Sequence, residues 1–428
     1  MPVPADAPST QPPPSVIKDP SLAPSGHRKI QWVARHMPVV NAVTARLAEE
    51  GVLAGQRITI CLHLEAKTAH WALRLQEAGA QVAVCGSNPL STQDDVCAAL
   101  AERGVAVYAT HDCTPEEYKG YIHLAVAHNP TLLVDDGGDL VQVLHTDERD
   151  RLPYILGGSE ETTTGVIRLR AMAAEGALAF PMMATNDARS KFLFDNRHGT
   201  GQSVWAAITA GTNLLVAGKV VVVAGYGWCG KGVAQRAQGL GARVIVCEVD
   251  PVRATEALMD GHQVMPALEA AALGDFFITT TGCKDVFHKD HFARMKDGAM
   301  LANAGHFDVE INIPDLAAMA VAQEDIRPNV REYRLADGRS LFLLAQGRLV
   351  NLAGGDGHPA EIMDMSFAVQ SLALRHLALH HRDLKPGVHP IPPEVDGQVC
   401  MTRLEALGIS IDRLTPEQQA YLSSWRHI

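Results

Sequence analysis

Hydrophobic positions along the chain fall into short runs that alternate with longer stretches of helical spacing. From about Ile58 the β-like runs are RITICLH (57–63), QVAVC (81–85), VAVYA (105–109) and TLLVDD (131–136). Apolar runs of strand length separated by helices predict a parallel sheet with helices on its faces, hence one α/β domain. The polar residues able to do chemistry fall just past the runs: His63 after ITICL, the Ser91-Thr92-Gln93-Asp94 cap before a helix, and Asp135-Asp136-Gly137-Gly138 after TLLV. Open α/β sheets bind their ligands at that carboxyl edge.

A second alternation begins at Lys219. KVVVVA is followed by Gly225-Tyr226-Gly227-Trp228-Cys229-Gly230, a helical stretch to about Leu240, and the run RVIVC ending on Glu248. Strand, glycine turn, helix, strand and acid is the order of a dinucleotide-binding unit, predicted here over 219–248. Gly225 makes the tight turn, Gly227 lets the backbone approach a pyrophosphate, and Gly230 allows close packing of helix on strand. The helix N-terminus faces the phosphates. A carboxylate at Glu248 suits a ribose diol and repels a 2′-phosphate, so the expected cofactor is NAD rather than NADP. Arg253, five residues further on, sits where it either greets a phosphate or lies solvated on a helix.

Composition narrows the class. The 428 residues are 47% hydrophobic and 20% charged, with no apolar run long enough for a bilayer, which predicts a soluble, cytoplasmic, globular chain. A formal net charge of −11 without a basic patch argues against nucleic-acid or membrane partners. The eight cysteines are dispersed and form no C-x-x-C pair, as expected of reduced thiols without a metal cluster. Residues 1–15, rich in Pro, Ala and Ser, are expected to be a disordered tail.

Two further segments, Ser159–Gly165 (SEETTTG) and Asn186–Ser203 (NDARSKFLFDNRHGTGQS), are dense in polar groups between apolar runs. Glu160, Glu161 and the threonines that follow could simply open a helix, where acids complement the dipole. Taken with NPLSTQDD, LVDDGGDL, VAGKVVVVAGYGWCGKG, TTTGCKD, NAGHFDVEI and GRLVNLAGGDGHP, however, they resemble the S-adenosyl-L-homocysteine hydrolase family, from Ser21 to about Leu422.

The resemblance implies an α/β fold with two Rossmann-like parallel-sheet domains. A discontinuous substrate domain would span 16–186 and 357–405, a hinge 187–201, an NAD domain 202–356 and a short C-terminal arm 406–428. It implies a homotetramer with one tightly held NAD per chain and a nucleoside thioether as substrate. Such a thioether resists direct hydrolysis; oxidising the 3′-hydroxyl to a ketone acidifies the 4′-hydrogen, so homocysteine can leave by elimination before water adds and the ketone is reduced back. Carried over by position, Lys191 would be the base at the 3′-hydroxyl, its pKa lowered by burial beside the nicotinamide cation, with Asp195 facing the ribose. Asp136 would act at the 4′-carbon and His63 at the 5′-position. Glu161 would bind the ribose and tune the lysine, while His306 and Asn186 would support the 3′-oxygen. Glu65, Lys67, Thr68, His358, Met363 and Phe367 would complete the substrate pocket. The cofactor would be held by Thr162, Thr163, Thr164, Asn196, Gly225, Gly227, Gly230, Glu248, Arg253, Thr279, Thr280, Asn303, Gly305, His306 and Asn351, with no metal.

The chain departs from the commonest family pattern in places. His63-Leu64-Glu65-Ala66-Lys67-Thr68 puts a carboxylate at 65 and a cation at 67, where threonine and glutamate are usual. A cationic donor suits a carbonyl better than an amino group, which keeps hypoxanthine open beside adenine as the base; the alternative is that Lys67 merely pairs with Glu65. Thr200 replaces a cysteine. Asp356 replaces a methionine near His358, leaving the alkali-cation site of some members without its usual residue although Gln93 is retained. The usual tyrosine-rich ending has no counterpart in Ser424-Trp425-Arg426-His427-Ile428, where Arg426 or His427 could substitute. A nucleoside oxidoreductase or epimerase, or an NAD-sensing binding protein, are the rival readings; retention of His63, Asp136 and Lys191 speaks against both.

Overall fold

The computed structural model describes residues 11–426. The apolar runs of the first part become strands β1 (Arg57–Leu62), β2 (Gln81–Gly86), β3 (Ala106–Tyr108), β4 (Leu132–Asp135), β5 (Gly157–Glu160) and β6 (Pro181–Ala184). Eight more follow: β7 (Val220–Ala224), β8 (Arg243–Cys247), β9 (Gln263–Val264), β10 (Phe276–Thr279), β11 (Ala299–Asn303), β12 (Ala320–Arg327), β13 (Val330–Leu335) and β14 (Ser340–Leu344). The last strand, β15 (Gly387–Pro390), rejoins the first group.

One sheet has the order β15-β6-β5-β4-β1-β2-β3 and is parallel throughout. Its central strands β1 and β4 are buried at every position, as expected of strands covered on both faces. The chain runs outward in opposite directions from β1, with β2 on one side and β4 on the other. That switch point leaves a crevice between the loops that follow β1 and β4, and those loops carry His63 and Asp136.

The other sheet has the order β12-β13-β14-β11-β10-β7-β8-β9, with its switch point between β7 and β10. It is not parallel throughout: β12 with β13 and β13 with β14 are antiparallel. The reason is local. Only two residues, Pro328 and Asn329, separate β12 from β13, too few for the crossover a parallel pair needs. Asn329 follows Pro328 in the turn and adopts the left-handed conformation, φ of 60°, that asparagine tolerates at the second turn position.

The long helix Ala360–His380 packs into the first sheet's core. Near its start Asp364, fully buried, accepts the Val39 and Val40 amides at 3.0 and 2.7 Å, so an acid more than three hundred residues away caps the helix Pro38–Glu50. Between the sheets the backbone widens into a π-helix over Phe192–Gly199 before the helix Thr200–Thr212. The helix that follows the glycine turn, Trp228–Gly239, lies directly on this connection: a Cβ at Gly232 would stand 1.7 Å from the Arg197 carbonyl.

The expected disordered tail is corrected in part. Residues 1–10 lie outside the described residues, but the Pro13 carbonyl accepts the Tyr108 hydroxyl at 2.6 Å and Ser15 Oγ accepts the Val107 amide at 3.0 Å. The second of these occupies an edge amide of β3, and both order the chain before residue 16. All eight cysteines are free. No helix among the described residues is long and apolar enough to cross a membrane.

Candidate active site

The carboxyl edges of the two sheets face each other across one cavity of about 1310 Å³. On the first sheet, His63 follows β1; its Nδ1 meets Ser91 Oγ at 2.7 Å and its Nε2 stands 3.2 Å from Asp136 Oδ2. Burial pushes the imidazole down to about 4, outweighing the opposing pull of Asp136, so it is neutral at pH 7. Asp136 accepts the Ser87 hydroxyl on Oδ2 at 2.9 Å. Its other oxygen, Oδ1, is buried without a hydrogen-bond partner, and His306 Nδ1 stands 3.8 Å from it. Among the described residues His63, Asp136 and His306 are the one grouping of three potential metal donors, and that grouping is this acid–base cluster itself.

Lys191, the residue before the π-helix, is buried between two carboxylates: its Nζ is 3.2 Å from Glu161 and 3.2 Å from Asp195. It also donates to Asn196 Oδ1 at 2.8 Å. Glu161 is fixed on its far oxygen by the Gln370 amide at 2.6 Å, and Asp195 by the Ser366 hydroxyl at 2.6 Å and by His358 at 2.9 Å. The expected fall in the lysine's pKa is not found: burial lowers it, but Asp195 and Glu161 together outweigh burial and hold it above its ordinary value. Asp195 is held below the usual carboxylate range although burial opposes this, because Lys191 and His358 favour its charge.

Glu161 moves the other way, pushed up to about 7 by burial against the pull of Lys191. A carboxyl raised on folding contributes stability that is full below its ordinary 4.5 and lost as pH rises through about 7. Glu161→Gln is therefore expected to flatten the decline in folding stability across that window. Urea unfolding at its two ends measures this, and an undiminished decline would show that another group is responsible.

The cofactor half is built on β7 and β8. Gly225 has φ of 93°, and a Cβ on Gly230 would lie 2.0 Å from the Gly225 carbonyl, so neither position admits a side chain. Glu248, at the end of β8, accepts the Tyr226 and Val249 amides at 2.7 Å each while lining the cavity. A close-approach turn, a helix N-terminus and an acid at the neighbouring strand end fit NAD. Arg253 is exposed beside the turn, with its guanidinium 3.8 Å from where a Gly227 Cβ would stand. Thr162, Thr163, Thr164, Asn196, Thr280, Gly305 and Asn351 also line the cavity. Asn351 Oδ1 is buried without a hydrogen-bond partner.

Two residues expected at the cofactor face elsewhere. The Thr279 hydroxyl donates to Asn303 Oδ1 at 2.9 Å, and the Asn303 amide is taken up by the Gly305, Phe307 and Gly347 carbonyls; both residues are fully buried and brace the strand ends behind the cavity wall. Glu65 caps the helix Ala66–Glu77 by accepting the Lys67 and Thr68 amides. Lys67 pairs with Glu65 at 2.7 Å and donates to the Asp356 carbonyl at 2.7 Å, and both residues line the cavity. Gln93 donates to the Asp356 carboxylate at 3.3 Å. Met363 and Phe367 form an apolar wall, with Phe367 stacked on Trp71 at 4.7 Å. The sequence reasoning missed Ser87, Ser366 and Gln370. The last two had a legible signal, being polar residues within the apolar run of 365–374.

An acid–base cluster facing a dinucleotide turn across one cavity fits the class of NAD-dependent enzymes. Comparison with known proteins gives the particular family. Residues 14–153 match the family described as S-adenosyl-L-homocysteine hydrolase, and residues 196–357 match its NAD binding domain. The chain is 56% identical over 411 residues to the adenosylhomocysteinase of Thermococcus kodakarensis, covering 96% of this chain and 98% of that one. It is 54% identical over 410 residues to the S-inosyl-L-homocysteine hydrolase of Methanocaldococcus jannaschii, covering 96% and 99%, and 52% identical over 402 residues to the adenosylhomocysteinase of Thermotoga maritima, covering 94% and 100%. The chain belongs to the S-adenosyl-L-homocysteine hydrolase family and is an NAD-dependent hydrolase.

Proposed function

We propose that the chain catalyses the reversible hydrolysis of S-adenosyl-L-homocysteine to adenosine and L-homocysteine. The observation that carries this is the pairing of His63 with Asp136 in the same cavity as Lys191 and the glycine turn, since simple oxidation of an alcohol needs no second acid–base pair. Bound NAD supplies a reversible acceptor for the hydrogen on the 3′-carbon. The Lys191 ammonium gives one proton to the Glu161 carboxylate, 3.2 Å away and raised to about 7, as its nitrogen takes up the proton of the 3′-hydroxyl. The 4′ proton goes to Asp136, whose unpartnered Oδ1 is free for it. The electron pair of that C–H bond becomes the 4′,5′ double bond, and the C5′–S pair leaves with sulfur. His63, whose Nε2 stands 3.2 Å from the carboxyl's other oxygen, Oδ2, is placed to give its proton to the thiolate and to be reprotonated through Asp136. Water adds at the 5′-carbon by the same groups run backwards.

A second reading, S-inosyl-L-homocysteine as substrate, is favoured by one observation: a buried ammonium, Lys67, in the cavity wall. Against it, two of that ammonium's three donors are already taken by Glu65 and Asp356. Rates on the two thioethers measured side by side decide between them. We expect the adenosyl substrate to be preferred by about 10-fold or more, the scale on which a pocket separates close analogues. An equal preference for the inosyl substrate transfers the assignment.

The same proposal includes a homotetramer resident in the cytoplasm. The arm supports assembly, because its helix Pro416–Ser423 buries none of its own residues, and Leu422 within it and Trp425 just past its end are exposed.

A further inference from the structure

The carboxyl edge of the first sheet ends in two acid pairs, Asp135-Asp136 after β4 and Glu160-Glu161 after β5, with Asp135 and Glu160 in register. The proposed reaction uses Asp136 and Glu161. Asp135 has a structural task, accepting the Asp136 amide on Oδ1 at 2.9 Å and the Val141 amide on Oδ2 at 2.9 Å. Glu160 remains. It is fully buried and does not line the cavity.

Its Oε1 nevertheless gathers three donors: the Gly137 amide at 2.9 Å, the Thr162 amide at 2.9 Å and the Thr162 hydroxyl at 3.0 Å. Gly137 follows Asp136 in the chain, and Thr162 follows Glu161 and caps the helix that opens with Thr163 and Thr164. One oxygen therefore ties the loop of Asp136 to the loop of Glu161. Two glycines make the fit possible. A Cβ on Gly165 would stand 2.1 Å from the Glu160 carboxyl carbon, and one on Gly137, at φ of 105°, would stand 2.3 Å from His306 Nε2. The Asp136 loop thus rests against Glu160 below and His306 above.

The second oxygen, Oε2, is buried and has no hydrogen-bond partner among the described residues. An anionic oxygen without water or a donor is costly to bury, whereas a protonated acid is much less so. Burial, with Asp135 and Asp136 close by, pushes this carboxyl well above the usual range, against the pull of the Gly137 and Thr162 amides. A neutral acid also adds no third negative charge beside Asp136.

We propose that Glu160 is a positioning residue for proton removal at the 4′-carbon, fixing where the Asp136 carboxylate stands relative to Glu161. This rests on the reading of Asp136 as the 4′ base. The 3′ oxidation depends on Lys191 and Glu161; Lys191 does not touch Glu160, and the Glu161 carboxyl keeps its own holds on Gln370 and Lys191, whereas the Gly137 amide beside Asp136 rests on Glu160 itself, so 4′ exchange should suffer far more than oxidation when Glu160 is changed.

The test uses the full-length NAD-loaded enzyme with adenosine in deuterated water. It measures the rate of cofactor reduction by absorbance and the rate of solvent deuterium entry at the 4′-carbon. In Glu160→Ala we expect reduction close to that of the parent and 4′ exchange slower by about 100-fold, the effect of a displacement of about an ångström. Glu160→Gln, which keeps the acceptor and the neutral state, should restore exchange to within roughly 3-fold. Should the alanine variant fail to fold, Glu160→Asp shortens the brace and carries the same expectation. Equal slowing of both steps, or of neither, overturns the proposal. Asp136→Asn run alongside judges the parent reading by itself: exchange that persists there removes the base, whatever Glu160 does.

Discussion

Asp136→Asn is expected to lower hydrolytic turnover by about 10³-fold or more, within the span attributed to positioned general bases, while leaving NAD bound and the fold intact. The amide keeps the side chain's shape and can still accept the Ser87 hydroxyl. It cannot take a proton from carbon. Oxidation at the 3′-position does not require Asp136, so mixing the variant with substrate should leave the cofactor reduced and the thiol unreleased. Absorbance of the reduced cofactor and a thiol assay follow the two events separately. Full turnover in this variant would sink the assignment, and so would a variant in which the cofactor never becomes reduced.

Lys191 should show the opposite pattern, together with a cost in stability. Its ammonium is the buried cation nearest to both Glu161 and Asp195, and truncating one partner of a buried ion pair typically costs about 3–5 kcal/mol. Lys191→Met is therefore expected to unfold at lower urea concentration and to reduce the cofactor about 10²- to 10⁴-fold more slowly. Lys191→Arg separates the two roles. A guanidinium retains the charge between the carboxylates and so should recover much of the stability, but it does not give up a proton and should not recover the oxidation rate. Parent-like oxidation in the arginine variant would mean that Lys191 binds without exchanging protons.

The cofactor unit was legible from sequence because its parts are consecutive. A strand, a glycine turn, a helix and a strand ending on an acid lie within thirty residues, and each glycine answers a local steric demand visible in the order of residues alone. The sheet's carboxyl edge singled out His63 and Asp136, but Glu161, Lys191 and His306 were legible as catalytic groups only through family resemblance, since the five come from separate segments of the chain. Nothing in their spacing says that they meet. Of the supporting residues, Ser87 looks like any loop polar group, whereas Ser366 and Gln370 stand out as polar residues in an apolar helix without the sequence saying what they hold. Carry-over by position from the family pattern also placed two residues that the fold turns away from the cavity. Thr279 and Asn303 were expected at the cofactor, and instead they satisfy each other and the backbone behind it.

What the sequence determined by itself was the alternation of elements, the glycine turn with its acid, and so an α/β chain that holds NAD, because these depend on contacts between near neighbours. What only the tertiary structure decided was charge. Burial alone would lower Lys191, and the sequence gives no distance from which to weigh the opposing carboxylates; folding sets Asp195 and Glu161 each 3.2 Å from it and reverses the sign. The same holds for Lys67, whose ammonium finds Glu65 two residues away and the Asp356 carbonyl nearly three hundred residues on. Electrostatic energies in a buried site fall with distance in a poorly screening medium, so they are fixed by three-dimensional neighbours that the order of residues does not name.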